Sequence, residues 1–271
     1  MNPASLFLSI FNRRIEINCV DDLVYSLLLT GYGHMASAVV DAPDLRYEVG
    51  RRSQAGGFFI NRDNDRFEAE TVYDFLYFFE KDLTIALQGK RSDLYFIHAA
   101  AIEWSGAAAI LVASSGTGKS TTAFGMLHEG FRYLSDELAP VDLPTLAVQP
   151  YPHALCLKSP PPPPYRLPTA TLRTEATLHL PVSALPSTTC NMPVRLGAIF
   201  FLVREGRDTS VERIEAAEAS VRLYANALNN LAHAGEGLDA AIHLASSIPC
   251  FRLQLGTLTQ VGALIRSAMS G

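Results

Sequence analysis

Residues 107–113, AAAILVA, are apolar without alternation, the pattern of a strand buried on both faces. Directly behind them stands Ala113-Ser114-Ser115-Gly116-Thr117-Gly118-Lys119-Ser120, followed by a stretch that reads as a helix from Lys119 to a stop by Gly130. Nothing else in the sequence restricts the fold as much. A hidden strand that turns through small residues straight into a helix calls for an α/β architecture, with the turn at the carboxyl edge of a sheet. The eight residues satisfy the phosphate-loop pattern G-x-x-x-x-G-K-[ST] at every position but the first, where Ala113 stands for glycine.

Each element of that pattern has a chemical reason. Gly116 and Gly118 admit backbone angles that other residues rarely adopt, so successive N–H groups can point inward at an anion. The positive end of the helix dipole favours an anion by about 0.3–1 kcal/mol. Lys119 is placed to reach β- and γ-phosphates, and the Ser120 hydroxyl to ligate Mg²⁺. Ser114, Ser115, Thr117 and Thr121 complete the set expected around a bound nucleotide. Ala113 costs little if its φ is negative, because a single Cβ is all it adds. The competing reading is a Gly/Ser turn that happens to precede a helix. Against it stand the strand before, the helix after and the scarcity of lysine, since the chain has only Lys81, Lys90, Lys119 and Lys158.

With 271 residues, 48% hydrophobic and 18% charged, the chain can form one or two domains around a large core. A net charge of −5 and a pI near 5.8 provide no basic footprint, so neither nucleic acid nor a membrane is an expected partner. The apolar runs 107–113 and 196–203 are far shorter than the ~20 residues of a spanning helix. Cys19, Cys156, Cys190 and Cys250 lie far apart with no CxxC pair, and read as buried, reduced thiols of a cytoplasmic protein. The opening MNPASLFLSIFNRRIEINCV lacks the basic lead and cleavage site of a secretory signal, so none is expected.

Along the chain, LFLSIF, RRIEINC, LRYEVG and GGFFIN alternate like short strands. ETVYDFLYFFEKDLTIALQGK places Val72, Phe75, Leu76, Phe79, Leu83 and Leu87 at helical spacing with Gly89 as a stop, and its aromatic residues read as ordinary core. These segments predict a strand-rich N-terminal section over 1–90 ahead of a domain over 91–271. DLYFIHAAAIEWSGAAAILVASS reads as strands meeting at Ser105-Gly106, and FRYLSDELAPVD as a strand region ending in acids. VRLGAIFFLVRE and CFRLQLG read as strands, and ERIEAAEASVRLYANALNNLA and LTQVGALIRSA as helices. Residues 144–193 are rich in proline and predict a long surface excursion; the run Pro160–Pro164 reads as a stiff loop rather than a ligand for SH3-like domains.

FRYLSDE puts Asp136 and Glu137 at a strand end, 16 and 17 residues past Ser120. In an open parallel sheet ligands sit at that end. A carboxylate there can hold Mg²⁺ through water or take the proton of an attacking hydroxyl, and it can equally be a solvated strand end. Neighbouring residues of a strand face opposite ways, so one of the two acids is expected to face the phosphates.

The stretch IHAAAIEWSGAAAILVASSGTGKSTTAFGMLHEGFRYLSDE resembles the catalytic domain of the HPr kinase/phosphorylase family. Members of that family carry, in this order, a histidine-led strand pair, a buried strand, the loop and helix, and then a glycine and R-L-V-A-D-D. The similarity covers residues 94–142 well and 150–265 in outline, and is closer to the looser HPr-kinase-related group than to the carrier-protein kinase itself. It implies an α/β fold class: a P-loop core of the HPr-kinase type, a mixed sheet with helices, preceded by a smaller strand-rich section. It implies ATP and Mg²⁺ as cofactors, with Lys119 and Ser120 gripping phosphates and metal. Asp136 matches the first acid of the family pair and would accept the hydroxyl proton; Glu137 replaces the second aspartate, and both acids would serve the metal. His98 matches the family histidine near the phosphates, although a hydrogen-bonded strand histidine is an equal alternative. Lys158, in PHALCLKS, is the candidate for a second phosphate-facing cation, with Arg132, Arg166 and Arg204 as weaker ones.

The implied activity is transfer of the γ-phosphoryl group of ATP to an alcohol, a serine of a peptide or small protein. The family often assembles as hexamers, which admits a homo-oligomer. The family signature E-x-R-G-L-G is absent, and PTLAVQPYPHALCLKSPPPPPYRLP stands in its place. Neither the carrier-protein substrate nor the reverse, phosphate-using reaction is therefore implied. Two other readings stay open: a non-catalytic nucleotide sensor or partner subunit, and a small-molecule kinase acting on serine or a related alcohol.

Overall fold

The computed structural model describes residues 4–39, 42–52, 56–206 and 208–270. In chain order the elements are β1 (Ala4–Ile10), β2 (Arg13–Cys19), α1 (Asp22–Tyr32), β3 (Leu45–Arg51), β4 (Phe58–Arg62), β5 (Asp65–Ala69) and α2 (Val72–Lys90). Then come β6 (Leu94–Ile97), β7 (Ala99–Trp104), β8 (Ala107–Val112), α3 (Lys119–His128), β9 (Arg132–Ser135), β10 (Ala139–Asp142) and β11 (Ala147–Val148). The remainder is β12 (Leu155–Leu157), β13 (Leu172–Arg173), β14 (Leu178–Leu180), β15 (Val194–Val203), β16 (Ser210–Arg213), α4 (Ala216–Asn226), α5 (Leu238–Ser247), β17 (Cys250–Gln254) and α6 (Leu258–Ser270). The protein is thus mixed α/β with several sheets. By its contacts it forms two compact units, Met1–Arg91 with Cys156–Pro162 and Arg166–Ala184, and Ser92–Leu155 with Pro163–Tyr165 and Leu185–Gly271.

The first unit holds a five-stranded sheet in the order β1-β2-β3-β4-β5, antiparallel except for the parallel pair β2-β3. A parallel pair needs a crossover, and α1 lies in it. The section is therefore not made of strands and one helix, as its alternation predicts. Asp21 starts α1 by accepting the Val24 N–H at 3.1 Å, and Val24, Leu27 and Leu28 form its buried stripe. On α2, Phe79 packs its ring 5.1 Å from Tyr47 and 5.5 Å from Tyr32, while Phe75 lies 5.1 Å from Phe58. The buried Asp82 accepts from Tyr47 Oη at 2.8 Å and pairs with Arg62 Nε at 3.0 Å, so its charge is compensated. Gly89 does not stop α2, which runs on to Lys90. Within residues 144–193 the chain also forms the short strands β11 to β14, and β12, β14 and β13 make a small sheet.

The second unit is built on a sheet in the order β6-β10-β11-β15-β8-β7-β9, with β17 also pairing β15 and β16 pairing β17. Strand β8 runs antiparallel to β7 and parallel to β15, which is itself parallel to β17. Ser105 and Gly106, both with positive φ, turn β7 into β8. Residues Ala108–Val112 are at most 1% exposed, which explains the absence of alternation in this run. FRYLSDELAPVD is two strands rather than one: β9 pairs β7, β10 pairs β6, and residues 136–138 cross between them. The stretch expected as a helix from Glu212 begins as strand β16, because pairing with β17 outweighs its helix propensity. Among the described residues no helix is long and apolar enough to cross a membrane.

Helix α3 packs against α6 through Gly125, where an added Cβ would come within 2.7 Å of Leu258 Cδ1. Strand β8 and helix α3 are thus held from two sides, which fixes the turn between them. Replacing Ile110, fully buried in β8, by alanine removes about 2–5 kcal/mol of stability. Urea unfolding measures that loss, and a loss below about 1 kcal/mol would contradict this position for β8.

Candidate functional site

Strand β8 ends at Val112, after which Ala113 is buried while Ser114, Ser115 and Gly116 are exposed. Gly116 has φ +86° and Gly118 φ +118°, so both occupy the region that residues with side chains avoid. An added Cβ at Gly116 would meet nothing within 4 Å, so the demand there is conformational. At Gly118 it would approach Arg204 Nη2 to 3.2 Å, which places that guanidinium at the loop. Ala113 is not among the described non-glycine residues with positive φ, so its Cβ is tolerated. Thr117 N–H donates to Ser114 O at 3.2 Å, and Thr122 N–H to Gly118 O at 2.8 Å, where α3 begins. The N-cap of α3 is Gly118, which has no side chain to cap it, and no acid lies in the first turn, so the positive end of the helix favours an anion.

Register brings the other groups to this edge. Ala99 pairs Val112, and Ala101 pairs both Ile110 and Ser135. The amino end of β7 and the carboxyl ends of β8 and β9 therefore share one side of the sheet. His98 precedes β7, Ala113 follows β8 and Asp136 follows β9. Parallel β15 delivers Arg204 to the same edge.

Lys119 is only 6% exposed, with Nζ 3.2 Å from Ala113 O and 3.2 Å from His98 Nε2. The same His98 Nε2 lies 2.8 Å from Glu137 Oε2. One ring nitrogen cannot accept from the ammonium and donate to the carboxylate at once, so only one of these contacts is a hydrogen bond at a time. With the proton on Nε2, His98 donates to Glu137 and the Lys119 charge acts on that carboxylate through space. Burial pushes the Glu137 carboxyl up, but the His98 hydrogen bond and the Lys119 charge outweigh it and hold it below its ordinary range.

The two acids differ sharply. They stand in the crossing between β9 and β10, with Asp136 1% exposed and the Glu137 side chain 41% exposed. Glu137 is the acid joined to Lys119 through His98. A third group, His153, was not signalled by any motif. It is 4% exposed, and burial pushes its imidazole down to about 4, although the Glu137 charge and an Ala154 main-chain hydrogen bond oppose this. Its ring stacks on Tyr151 at 5.9 Å, and Tyr133 Oη donates to its carbonyl at 2.9 Å.

Lys158 follows β12 and is exposed, and like Arg166 it belongs to the first compact unit. Arg132 opens β9 at the opposite end from Asp136 and is engaged by the buried Glu103. Arg204 sits at the loop, and with Ser114, Thr117, Arg222 and Asn226 it lines a cavity of about 350 Å³.

The groups able to hold a polyphosphate are thus the loop amides, Lys119 and Arg204. Ser120, with Asp136 or Glu137, could hold a divalent cation. Among the described residues no three His, Cys, Asp or Glu side chains gather as a metal cage. The set nonetheless suits Mg²⁺, which ordinarily takes one or two carboxylates together with phosphate oxygens and water.

The chain matches no protein-family model and no curated protein. Among solved structures it is similar to the HPr(Ser) kinase/phosphatase from Coxiella burnetii, at 12% identity over 65% of this chain and 99% of that one, with a TM-score of 0.31. That is a distant structural relationship and nothing finer.

The site has a definite pH signature. Between pH 6.5 and about 4 the unfolded chain takes up a proton at residue 153 that the folded chain refuses, so stability falls as pH drops through this window. The loss is on the order of 3 kcal/mol. The contribution of Glu137 is present above its ordinary 4.5 and disappears as pH falls through its depressed folded value. His153→Gln is expected to flatten the stability profile between pH 6.5 and 4 in urea titrations. An unchanged slope would contradict the buried neutral imidazole.

Proposed function

We propose that this chain is an ATP-dependent phosphotransferase that moves the γ-phosphoryl group to an alcohol, a serine of a peptide or small protein. The observation that supports it most is the buried Lys119 ammonium. It opens a helix behind two positive-φ glycines and lies 3.2 Å from a histidine that is 2.8 Å from Glu137. A buried ammonium needs anionic partners, and in this reading main-chain N–H groups of the loop beside it hold the same anion.

In this reading the loop from Ser114 to Thr121 cradles the phosphates through main-chain N–H groups, and Lys119 turns from Ala113 O and His98 to the β- and γ-oxygens. Arg204 takes the duty of second cation that the sequence suggested for Lys158. Mg²⁺ would be held by Ser120 and a carboxylate, and when bound it neutralises charge between the β- and γ-phosphates. The acceptor hydroxyl oxygen forms the new bond to γ-phosphorus as the bond to the β-phosphate oxygen breaks and ADP leaves. Asp136 takes the hydroxyl proton. At 1% exposure its carboxylate is shielded from bulk water. Glu137 keeps His98 in place beside Lys119 and is a further ligand for the metal.

Lys119→Ala is expected to abolish nucleotide binding. Asp136→Asn should leave ATP affinity within a few fold and lower transfer by about 10²–10⁴-fold, the usual scale of a lost general base. Both are read with γ-labelled ATP, Mg²⁺ and serine-containing peptides, with free serine as a separate acceptor. Unchanged turnover in Asp136→Asn would remove it as the base. ATP binding with neither transfer nor ADP release would make the chain a nucleotide sensor instead.

A further inference from the structure

The small sheet β12-β14-β13 carries a nucleophile that the phosphate chemistry does not use. Leu155, Leu157, Leu178 and Leu180 are buried, so strand alternation turns Cys156 and His179 to the other face, side by side. Cys156 Sγ lies 3.2 Å from His179 Nδ1. The far nitrogen, Nε2, lies 2.8 Å from Thr177 Oγ1.

Thr174 Oγ1 lies 2.9 Å from Thr177 Oγ1, so the Thr177 hydroxyl stands between Thr174 and the ring. In the tautomer whose Nε2–H donates to Thr177 Oγ1, the neutral ring presents the Nδ1 lone pair to the Cys156 thiol. This is the arrangement of an activated nucleophile: thiol, base, and a third group that orients the base.

The other cysteines lack it. Cys19 and Cys250 contact main-chain carbonyls and Cys190 contacts Glu103, and all three are buried, whereas Cys156 is partly exposed. Burial pushes the thiols of Cys19 and Cys250 up to about 12 and that of Cys190 to about 11.

We propose that Cys156 and His179 form an ion-paired, nucleophilic thiol that is covalently modified by small soft electrophiles, a hydroperoxide among them. The thiolate sulfur attacks the distal peroxide oxygen, forming the S–O bond as the O–O bond breaks. The leaving alkoxide or hydroxide takes the proton from His179 Nδ1–H. Sulfur is oxidised by two electrons to a sulfenic acid, the peroxide is reduced to an alcohol or water, and His179 returns to its neutral form.

The test is the pH profile of iodoacetamide labelling, read for each cysteine by mass spectrometry on the full native chain. At pH 6 an ordinary thiol of pKa ~8.5 is only about 0.3% ionised, and an imidazole-paired thiolate gains from ionisation more than it loses in intrinsic nucleophilicity. Cys156 is expected to react about tenfold faster at pH 6 in the wild type than in His179→Gln, with a rate that levels off near neutrality. In the variant the rate should keep rising towards pH 9. Cys19, Cys190 and Cys250 should stay unlabelled in both, which reports an intact fold. Where the variant fails that control, the native wild-type profile is compared with that of the urea-unfolded wild-type chain. Equal profiles in either comparison would overturn the proposal, and Lys119→Ala should leave the Cys156 profile unchanged.

Discussion

The burial of β8 between β7 and β15 is the constraint on which the second unit depends. A strand with neighbours on both edges and nearly no exposed surface has no freedom to slide, because a one-residue slip would break two ladders at once. Its carboxyl end is therefore a fixed point. Everything of chemical interest is measured from there: the loop that leaves it, the histidine that precedes its antiparallel partner, and the arginine that follows its parallel one.

Charge is arranged around that fixed point in a short chain rather than in a cluster. Glu137, His98 and Lys119 stand in line, with contacts of 2.8 and 3.2 Å through a single ring nitrogen. Such a line is poised to change. In the proposed function Lys119 turns outward to an anion, which leaves Nε2 to Glu137 alone and exchanges a main-chain carbonyl for phosphate oxygens. Asp136 and His153 are almost completely buried nearby in the chain, so the site combines a semi-exposed ionic line with deeply buried polar groups.

What the sequence disclosed follows from what is local. The loop is legible because a non-alternating apolar run, two glycines forced to positive φ and a helix start are each set by a few adjacent residues. The β7–β8 turn at Ser105-Gly106 is legible for the same reason. Helix α1 carries local signals too, an Asp21 cap and a Val24–Leu27–Leu28 stripe, but it is short and lies among alternating strands that dominate the region. The break of FRYLSDELAPVD into β9 and β10 is not a local property at all, since each half is defined by a different distant partner. Strand β16 is likewise made by β17, against the helix propensity of its own residues. Arg204 is one of three weaker arginine candidates in the sequence and is singled out only by tertiary placement, and His153 comes to notice in no other way.

The claim that this loop is an anion cradle is tested most directly by amide resonances in the ¹⁵N-labelled chain titrated with ATP and Mg²⁺. The account predicts that the N–H signals of Gly116, Gly118 and Lys119 move first and furthest, saturate together, and do not move in Lys119→Ala. Saturable ATP binding that leaves these three signals in place while others shift would contradict it, as would the absence of any binding at millimolar ATP.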